Sequence, residues 1–146
     1  MIDIVELDGY DTWNLRRVVL RDGRMDADVD FPEDHLPGAW HLGGRVDDEL
    51  VGVSSWSPSP WADAPEDRAV QLRGMAVLHS VQGRGVGRAL VLHGMDQARA
   101  LGAVRLWANA RDAVMDFYLG LGATMVGDRF FTAATGLPHH RIVWDL

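Results

Sequence analysis

The feature that most constrains the fold is an apolar segment that runs directly into a glycine-rich loop and then into a helical pattern. Residues 69–78, AVQLRGMAVL, are mostly apolar and end at the loop, as expected of a central strand. The loop reads VQGRGVGRAL over residues 81–90 and has glycine at 83, 85 and 87. A helix is predicted from about residue 85 to Leu101, with Gly102 as its stop signal. Such a turn directs unpaired backbone N–H groups and the positive end of the helix dipole at one point, which predicts an anion-binding site.

Two common phosphate-binding loops do not fit this spacing. A Walker loop needs Lys-Ser or Lys-Thr after its glycines, and the chain contains no lysine. A dinucleotide-binding fingerprint needs Gly-x-Gly-x-x-Gly, whereas Arg88 stands where the last glycine would be. A glycine turn that serves only the tight packing of a strand on a helix stays open as an alternative.

The remaining patterns predict an α/β (α+β) fold with a mixed central sheet of about seven strands flanked by helices. Residues 1–146 are expected to form a single domain, because 146 residues is within the usual size of one domain. The other predicted elements are strands at 2–7, 41–46, 49–56, 104–109, 124–131 and 139–144, a helix from Asp8 or Asp11 to about Arg21, and a helix from Asn109 or Asp112 to Gly122. An irregular acidic arm is predicted over 22–40. Gly94, inside the helix that follows the loop, is expected to cost about 1 kcal/mol relative to alanine.

Composition excludes several classes of function. The chain has no cysteine and no lysine, so a thiolate metal site, a cysteine nucleophile and a catalytic lysine are impossible. Residues 1–70 carry 16 acidic and 6 arginine side chains, and residues 71–146 carry 5 acidic and 8 arginine side chains. This balance argues against nucleic acid as a partner and suits a small anionic ligand in the second half. No membrane span, leader segment or metal-binding histidine spacing is recognisable, so a cytoplasmic protein without a metal is expected.

The loop also reads Gln82-x-x-Gly85-x-Gly87, and here the chain resembles the GNAT superfamily of acyl-CoA-dependent N-acyltransferases. The resemblance covers roughly residues 45–146. It is carried by LVGVSSW, LRGMAVLHSVQGRGVGRALV, LWANARDAVMDFYLGLGAT and GLPHHRIVWDL, which are similar to consecutive strands and helices of that family. It implies a sheet whose two central parallel strands splay apart, and acetyl-CoA as a co-substrate.

The resemblance implies a set of residues that bind the co-substrate. The loop, through its backbone amides, is expected to bind the pyrophosphate of CoA; its residues are Gln82, Gly83, Arg84, Gly85, Val86, Gly87 and Arg88. Met75, Ala76 and Val77 correspond to the strand that pairs with the pantetheine arm, and one N–H there, that of Val77, is expected to polarise the acyl carbonyl. Asn109 is expected to face the CoA arm, with a helix cap as the alternative role.

The catalytic residues are less completely specified. Tyr118 occupies the place of the tyrosine that protonates the departing thiolate in similar proteins, although an amphipathic tyrosine at the edge of the core would also explain it. Strand 69–78 contains no carboxylate, so the general base stays open between a water chain and Glu66, Asp67, His79 or His139.

The resemblance, with these residues, implies an N-acetyltransferase that moves an acetyl group directly from acetyl-CoA to a primary amine on a small molecule. Acidic residues of the arm could attract a cationic amine. Two alternatives remain: a non-catalytic acyl-CoA-binding sensor module, and an acetyltransferase that acts on a protein. Homodimers are frequent among similar proteins, and nothing in these residues requires one.

Overall fold

The computed structural model describes residues 1–146, and a seven-stranded mixed sheet forms its frame. The strands are β1 (Ile2–Leu7), β2 (Trp40–Val46), β3 (Glu49–Pro58), β4 (Ala69–Val77), β5 (Arg105–Arg111), β6 (Thr124–Phe131) and β7 (Pro138–Asp145). Their spatial order is β1-β2-β3-β4-β5-β7-β6, and only the central neighbours β4 and β5 are parallel. The predicted α+β class with a mixed sheet is confirmed. A helical crossover returns the chain in the same direction, which explains the one parallel pair.

Three α-helices accompany the sheet: α1 (Trp13–Leu15), α2 (Val86–Ala100) and α3 (Met115–Gly120). Helix α2 buries an apolar face on the sheet, and α3 contributes Met115 and Tyr118 to the same 19-residue core. A smaller cluster of Leu15, Val53 and Ala76 joins α1 to the sheet. None of the helices has both the length and the apolar character needed to cross a membrane.

The N-terminal helix is less regular than predicted. A single helix to about Arg21 is wrong, because a 3₁₀ turn (Gly9–Thr12), α1 and a π turn (Arg16–Leu20) follow one another. The β-branched Val18 and Val19 disfavour a regular helix. The π turn also begins at Arg16, whose fully buried guanidinium is bonded to the arm and to the sheet. Within the arm, the structure adds a short 3₁₀ turn over Pro32–His35.

Strands β4 and β5 pair only over part of their length. Their register runs from Ala69 opposite Arg105 to Leu72 opposite Ala108. Beyond this point each strand keeps only its outer neighbour, β3 for β4 and β7 for β5. β4 also bulges there, because Gly74 and Met75 together lie opposite Ser54. The sheet therefore opens between its two central strands, as the resemblance implied.

Helix α2 contains a glycine for a reason that helix propensity does not show. Gly94 is buried, and a Cβ added there would overlap the indole ring of Trp56. Trp56 is itself 1% exposed and stacks on Trp40, with ring centroids 5.9 Å apart. The glycine thus allows α2 to approach the sheet closely enough to cover this tryptophan pair.

We predict that Gly94→Ala destabilises the protein despite alanine's higher helix propensity. Overpacking a core costs about 1–3 kcal/mol, which exceeds the gain of about 1 kcal/mol from replacing a helical glycine. Urea unfolding should therefore show a lower midpoint. Gly120→Ala is the matched control, because a Cβ at Gly120 meets no atom within 4 Å. Equal stability of Gly94→Ala and the native chain would contradict this packing argument.

Candidate active site

A cavity of about 610 Å³ lies where β4 and β5 diverge. Its wall includes Met75 from the open part of β4, Asn109 from the open part of β5, and Tyr118 from α3. The arm after the π turn and the loop between β6 and β7 form its outer rim. The cavity therefore lies at the opening of the sheet, and three of the sequence-predicted site residues line it.

Tyr118 is positioned by aromatic packing. Its ring packs edge-on against Trp144 and Phe117, at centroid distances of 5.9 Å and 5.0 Å. The residue is only 7% exposed, and burial raises the pKa of the phenol to about 12, with the Arg111 charge opposing that shift. Tyr118 therefore stays protonated at neutral and moderately alkaline pH, as a proton donor must. It is both a core residue and a residue of the cavity wall, so its place in the core leaves the predicted catalytic role open.

His139 is the one proposed base candidate that lines the cavity. Its Nδ1 lies 2.8 Å from the carbonyl oxygen of Leu137, and its ring stacks on Phe130 at 5.7 Å. A carbonyl oxygen only accepts hydrogen bonds, so Nδ1 carries a proton in this contact. In the neutral imidazole, Nε2 then holds the free electron pair, as a general base requires.

The other named candidates lie elsewhere. Glu66 is exposed in the loop before β4, and Asp67 forms an ion pair with Arg105 at 3.2 Å. His79 is exposed, and its Nδ1 lies 3.2 Å from the side-chain nitrogen of Gln82. None of these three belongs to the cavity wall.

Glu33, one of the acidic arm residues expected to attract a cationic amine, lines the cavity, although it was not among the candidates for the base. It lies in the 3₁₀ turn of the arm, and its Oε2 is 3.2 Å from Nη1 of Arg73 on β4. The angles at this contact fall outside hydrogen-bond geometry, so it is an ionic contact alone. Its sequence signals were its place in the acidic arm and the absence of a carboxylate on β4, which left room for one supplied from another segment.

Arg16 holds the arm against the sheet. Its guanidinium donates to both carboxylate oxygens of Asp34, at 2.6 and 2.9 Å, to the carbonyl of Val29 and to Oγ of Ser55. It also lies 4.1 Å from the ring centroid of Phe31, which lines the cavity. Burial opposes ionisation of Asp34, but its contacts with Arg16 lower its pKa overall. The pair is therefore charged, and the part of the cavity wall that the arm forms is anchored in the protein interior.

The glycine loop lies beyond the end of β4, outside the cavity wall. Gly83 and Gly85 have left-handed φ angles of +81° and +89°. An added Cβ would meet nothing within 4 Å at Gly83, and only Ile2 Cδ1 at 3.8 Å at Gly85. Tight packing therefore does not account for these two residues. It does apply to Gly87, whose added Cβ would lie 3.1 Å from the Phe117 ring.

Helix α2 begins without a side-chain cap. Gly85 is its N-cap residue and offers no side-chain acceptor, so the N–H groups of the first turn have no intrahelical partner. Val86, in that turn, buries its side chain in the core and can offer a ligand only its N–H group. Arg84 and Arg88 are exposed beside it. This arrangement suits an anion at the start of α2.

The remaining predicted residues divide between backbone and side-chain roles. Ala76 is buried in the small core cluster, and Val77 is half-buried, so both present only backbone groups to the open edge of β4. Gln82 donates from its side chain to the Val77 carbonyl at 3.2 Å. Asn109 lies inside β5, which continues to Arg111, so its alternative role as a helix cap is wrong.

No group of three or more histidine and acidic side chains is placed to hold a metal ion.

Comparison with known proteins agrees with this geometry. The model of the Acetyltransferase (GNAT) family matches residues 9–123. The uncharacterized N-acetyltransferase YitI of Bacillus subtilis (strain 168) is 29% identical over 144 residues, which are 99% of this chain and 95% of YitI.

Two solved structures show the same fold. Escherichia coli ElaA has a TM-score of 0.76 at 20% identity, and the match covers 98% of this chain and 99% of ElaA. An aminoglycoside 6'-N-acetyltransferase complexed with coenzyme A has a TM-score of 0.74 at 16% identity, with coverage of 98% and 96%. The family match spans most of the sequence, and the sheet opens between its two central strands as the resemblance implied. The chain therefore belongs to the Acetyltransferase (GNAT) family.

Proposed function

We propose that the protein is an N-acetyltransferase that transfers an acetyl group directly from acetyl-CoA to a primary amine on a small molecule. One observation carries this proposal: Tyr118 and His139 line the same cavity, at the opening of the sheet next to the glycine loop. A proton donor and a proton acceptor on one wall are the two groups that direct transfer to an amine needs.

The residues present fit acetyl-CoA as the co-substrate. The uncapped start of α2 and the left-handed glycines offer N–H groups to a pyrophosphate. The open edge of β4 offers backbone groups to a pantetheine arm, which would extend from the loop toward Met75 and the cavity. Acetyl-CoA supplies the activated thioester, and the chain supplies positioning and proton transfer.

In the proposed reaction, the amine nitrogen bonds to the acetyl carbon and the carbon–sulfur bond breaks. His139 Nε2 takes the proton that the amine loses. Tyr118 donates a proton to the departing thiolate and regains one from solvent after product release. The high pKa of Tyr118 keeps this donor protonated at neutral pH.

The size of the cavity supports a small acceptor. Its volume of about 610 Å³ is within the range of about 300–1,000 Å³ usual for small-molecule pockets. The arm, held by Arg16, and the loop between β6 and β7 limit its width. The structurally similar aminoglycoside 6'-N-acetyltransferase is named for a small-molecule acceptor, which also supports this proposal.

We predict that Tyr118→Phe lowers kcat by about 100-fold, because loss of a positioned general acid typically costs that much or more. The affinity for acetyl-CoA, measured by calorimetry, should change little. Tyr10→Phe is the matched control, since Tyr10 is 64% exposed and bonds only to Asp8. A kcat of Tyr118→Phe equal to that of the control would remove Tyr118 from the mechanism. A sensor module would bind acetyl-CoA and show no turnover even in the native chain.

We predict that His139→Gln lowers kcat/KM for the amine by about 100-fold near neutral pH, since the base that accepts the amine proton is lost. This loss of kcat/KM should become smaller as the pH rises toward the pKa of the acceptor amine, because a larger fraction of the amine is then already deprotonated when it binds. His93→Gln, on the exposed side of α2, is the control.

Glu33→Gln tests the competing base on the same wall. We expect it to retain most of the native kcat. If Glu33→Gln lowers kcat/KM for the amine more than His139→Gln does, and this loss becomes smaller as the pH rises, the base is Glu33 and the assignment to His139 is wrong.

A further inference from the structure

The outer end of the cavity holds a group of arginines, Arg21, Arg24 and Arg111. Two of them converge on one atom: Arg21 Nη1 and Arg111 Nη2 donate to the carbonyl oxygen of Leu20, at 3.1 and 3.2 Å. Arg21 follows the π turn, and Arg111 ends β5, so residues far apart in sequence bring two guanidinium groups together.

These arginines have no carboxylate partner. The ion pairs of this structure within 4.0 Å engage other arginines, Arg16, Arg73, Arg99, Arg105 and Arg129. Burial, reinforced by the charge of Arg111, lowers the pKa of Arg21 despite the opposing charge of Asp28. Two half-buried cations side by side repel each other, and an anion between them would relieve that cost.

The acidic residues of the cavity wall do not cancel this charge. The wall contains four arginines, including Arg73, but only two carboxylates, Asp28 and Glu33. Glu33 is engaged by Arg73, and Asp28 accepts a hydrogen bond from the backbone N–H of Asp30. The acceptor side of the cavity is therefore net positive, although the arm as a whole is acidic.

The positive end lies close to the proposed base. Arg111 on β5 is directly opposite His139 on β7 in the antiparallel register. Opposed residues of such a pair have Cβ atoms about 4.5–5.5 Å apart and point to the same face. A ligand that reaches both side chains can therefore be short.

We propose that the acceptor is a small aminocarboxylate, such as an amino acid, whose carboxylate binds Arg21 and Arg111 while its amine faces His139. This inference rests on the proposed function and specifies its substrate class. The planar guanidinium groups match a carboxylate in hydrogen-bond geometry. Arg24, exposed at the rim, adds to the field that attracts the anion.

The first test is an acceptor panel in matched pairs, each amino acid beside its carboxamide, with a phosphate-bearing amine such as phosphoethanolamine as a further arm. Acetyl transfer is followed by release of free CoA. We expect kcat/KM to be at least about tenfold higher for the carboxylate member of a pair, as charge-assisted hydrogen bonds allow. Equal or better use of the carboxamides would overturn the inference and leave the proposed function intact. A preference for phosphoethanolamine over all amino acids would mean that the arginines bind a phosphate, and the proposed carboxylate would be wrong.

Substitutions of the two arginines test whether these residues recognise the carboxylate. Arg111→Gln and Arg21→Gln should each raise KM for the amino acid and abolish its advantage over the carboxamide, while KM for acetyl-CoA changes less than about twofold. Arg111→Lys should restore part of the advantage, because it restores charge without the fork geometry. Arg99→Gln is the control, since Arg99 is exposed on α2 and pairs with Asp96. An undiminished preference in both glutamine variants would contradict the assigned residues.

A binding measurement separates this inference from the proposed function. N-acetyl amino acids and their amides are titrated calorimetrically into the protein in the presence of CoA. We expect the acids to bind at least about tenfold more tightly, and Arg111→Gln to remove the difference. Equal binding would contradict the inference even if no amine is turned over. Selective binding without any turnover would contradict the proposed catalysis instead.

Discussion

The site depends on one constraint, the separation of β4 and β5 after Leu72 and Ala108. A parallel pair in the middle of a sheet would otherwise continue and leave no opening. The bulge at Gly74 and Met75 bends β4 where the pairing ends, and β5 continues beside β7 to Arg111. The open strand edges, the cavity and the approach to the start of α2 all follow from this separation.

The part of the cavity wall that the arm forms is held by a buried ion pair. Arg16 joins the π turn, the arm and β3 through Asp34, Val29 and Ser55. Breaking a buried pair on one side leaves an uncompensated charge, at a cost of about 3–5 kcal/mol, so the arm is held as firmly as a core element. An irregular segment rich in acidic residues can in this way present a defined wall to a ligand. Two of its acids, Glu33 and Asp34, pair with the chain's own arginines.

Local patterns predicted much of the fold and part of the site. The strand before the glycine loop, helix α2, and the placement of Tyr118 on a helix could be predicted, because periodicity and loop composition are local. The pairs Arg16 with Asp34, Glu33 with Arg73, and Arg21 with Arg111 could not, because they join segments 18 to 90 residues apart. Helix propensity alone predicts that Gly94 weakens its helix. The reason for this glycine is the ring of Trp56, which belongs to strand β3 and not to the helix. The broken first helix has the same origin, since Arg16 is oriented by tertiary partners.

The most direct measurement is a calorimetric titration of the native protein with acetyl-CoA and, in parallel, with S-acetylpantetheine, which lacks the pyrophosphate and nucleotide. Backbone N–H groups at the start of α2 and in the glycine loop would contribute several charge-assisted hydrogen bonds to a pyrophosphate. We therefore expect acetyl-CoA to bind with one site per chain and at least about 100-fold more tightly than S-acetylpantetheine. Equal affinities, or no binding of acetyl-CoA, would contradict the assignment of this loop and of the opened sheet as the acyl-CoA site.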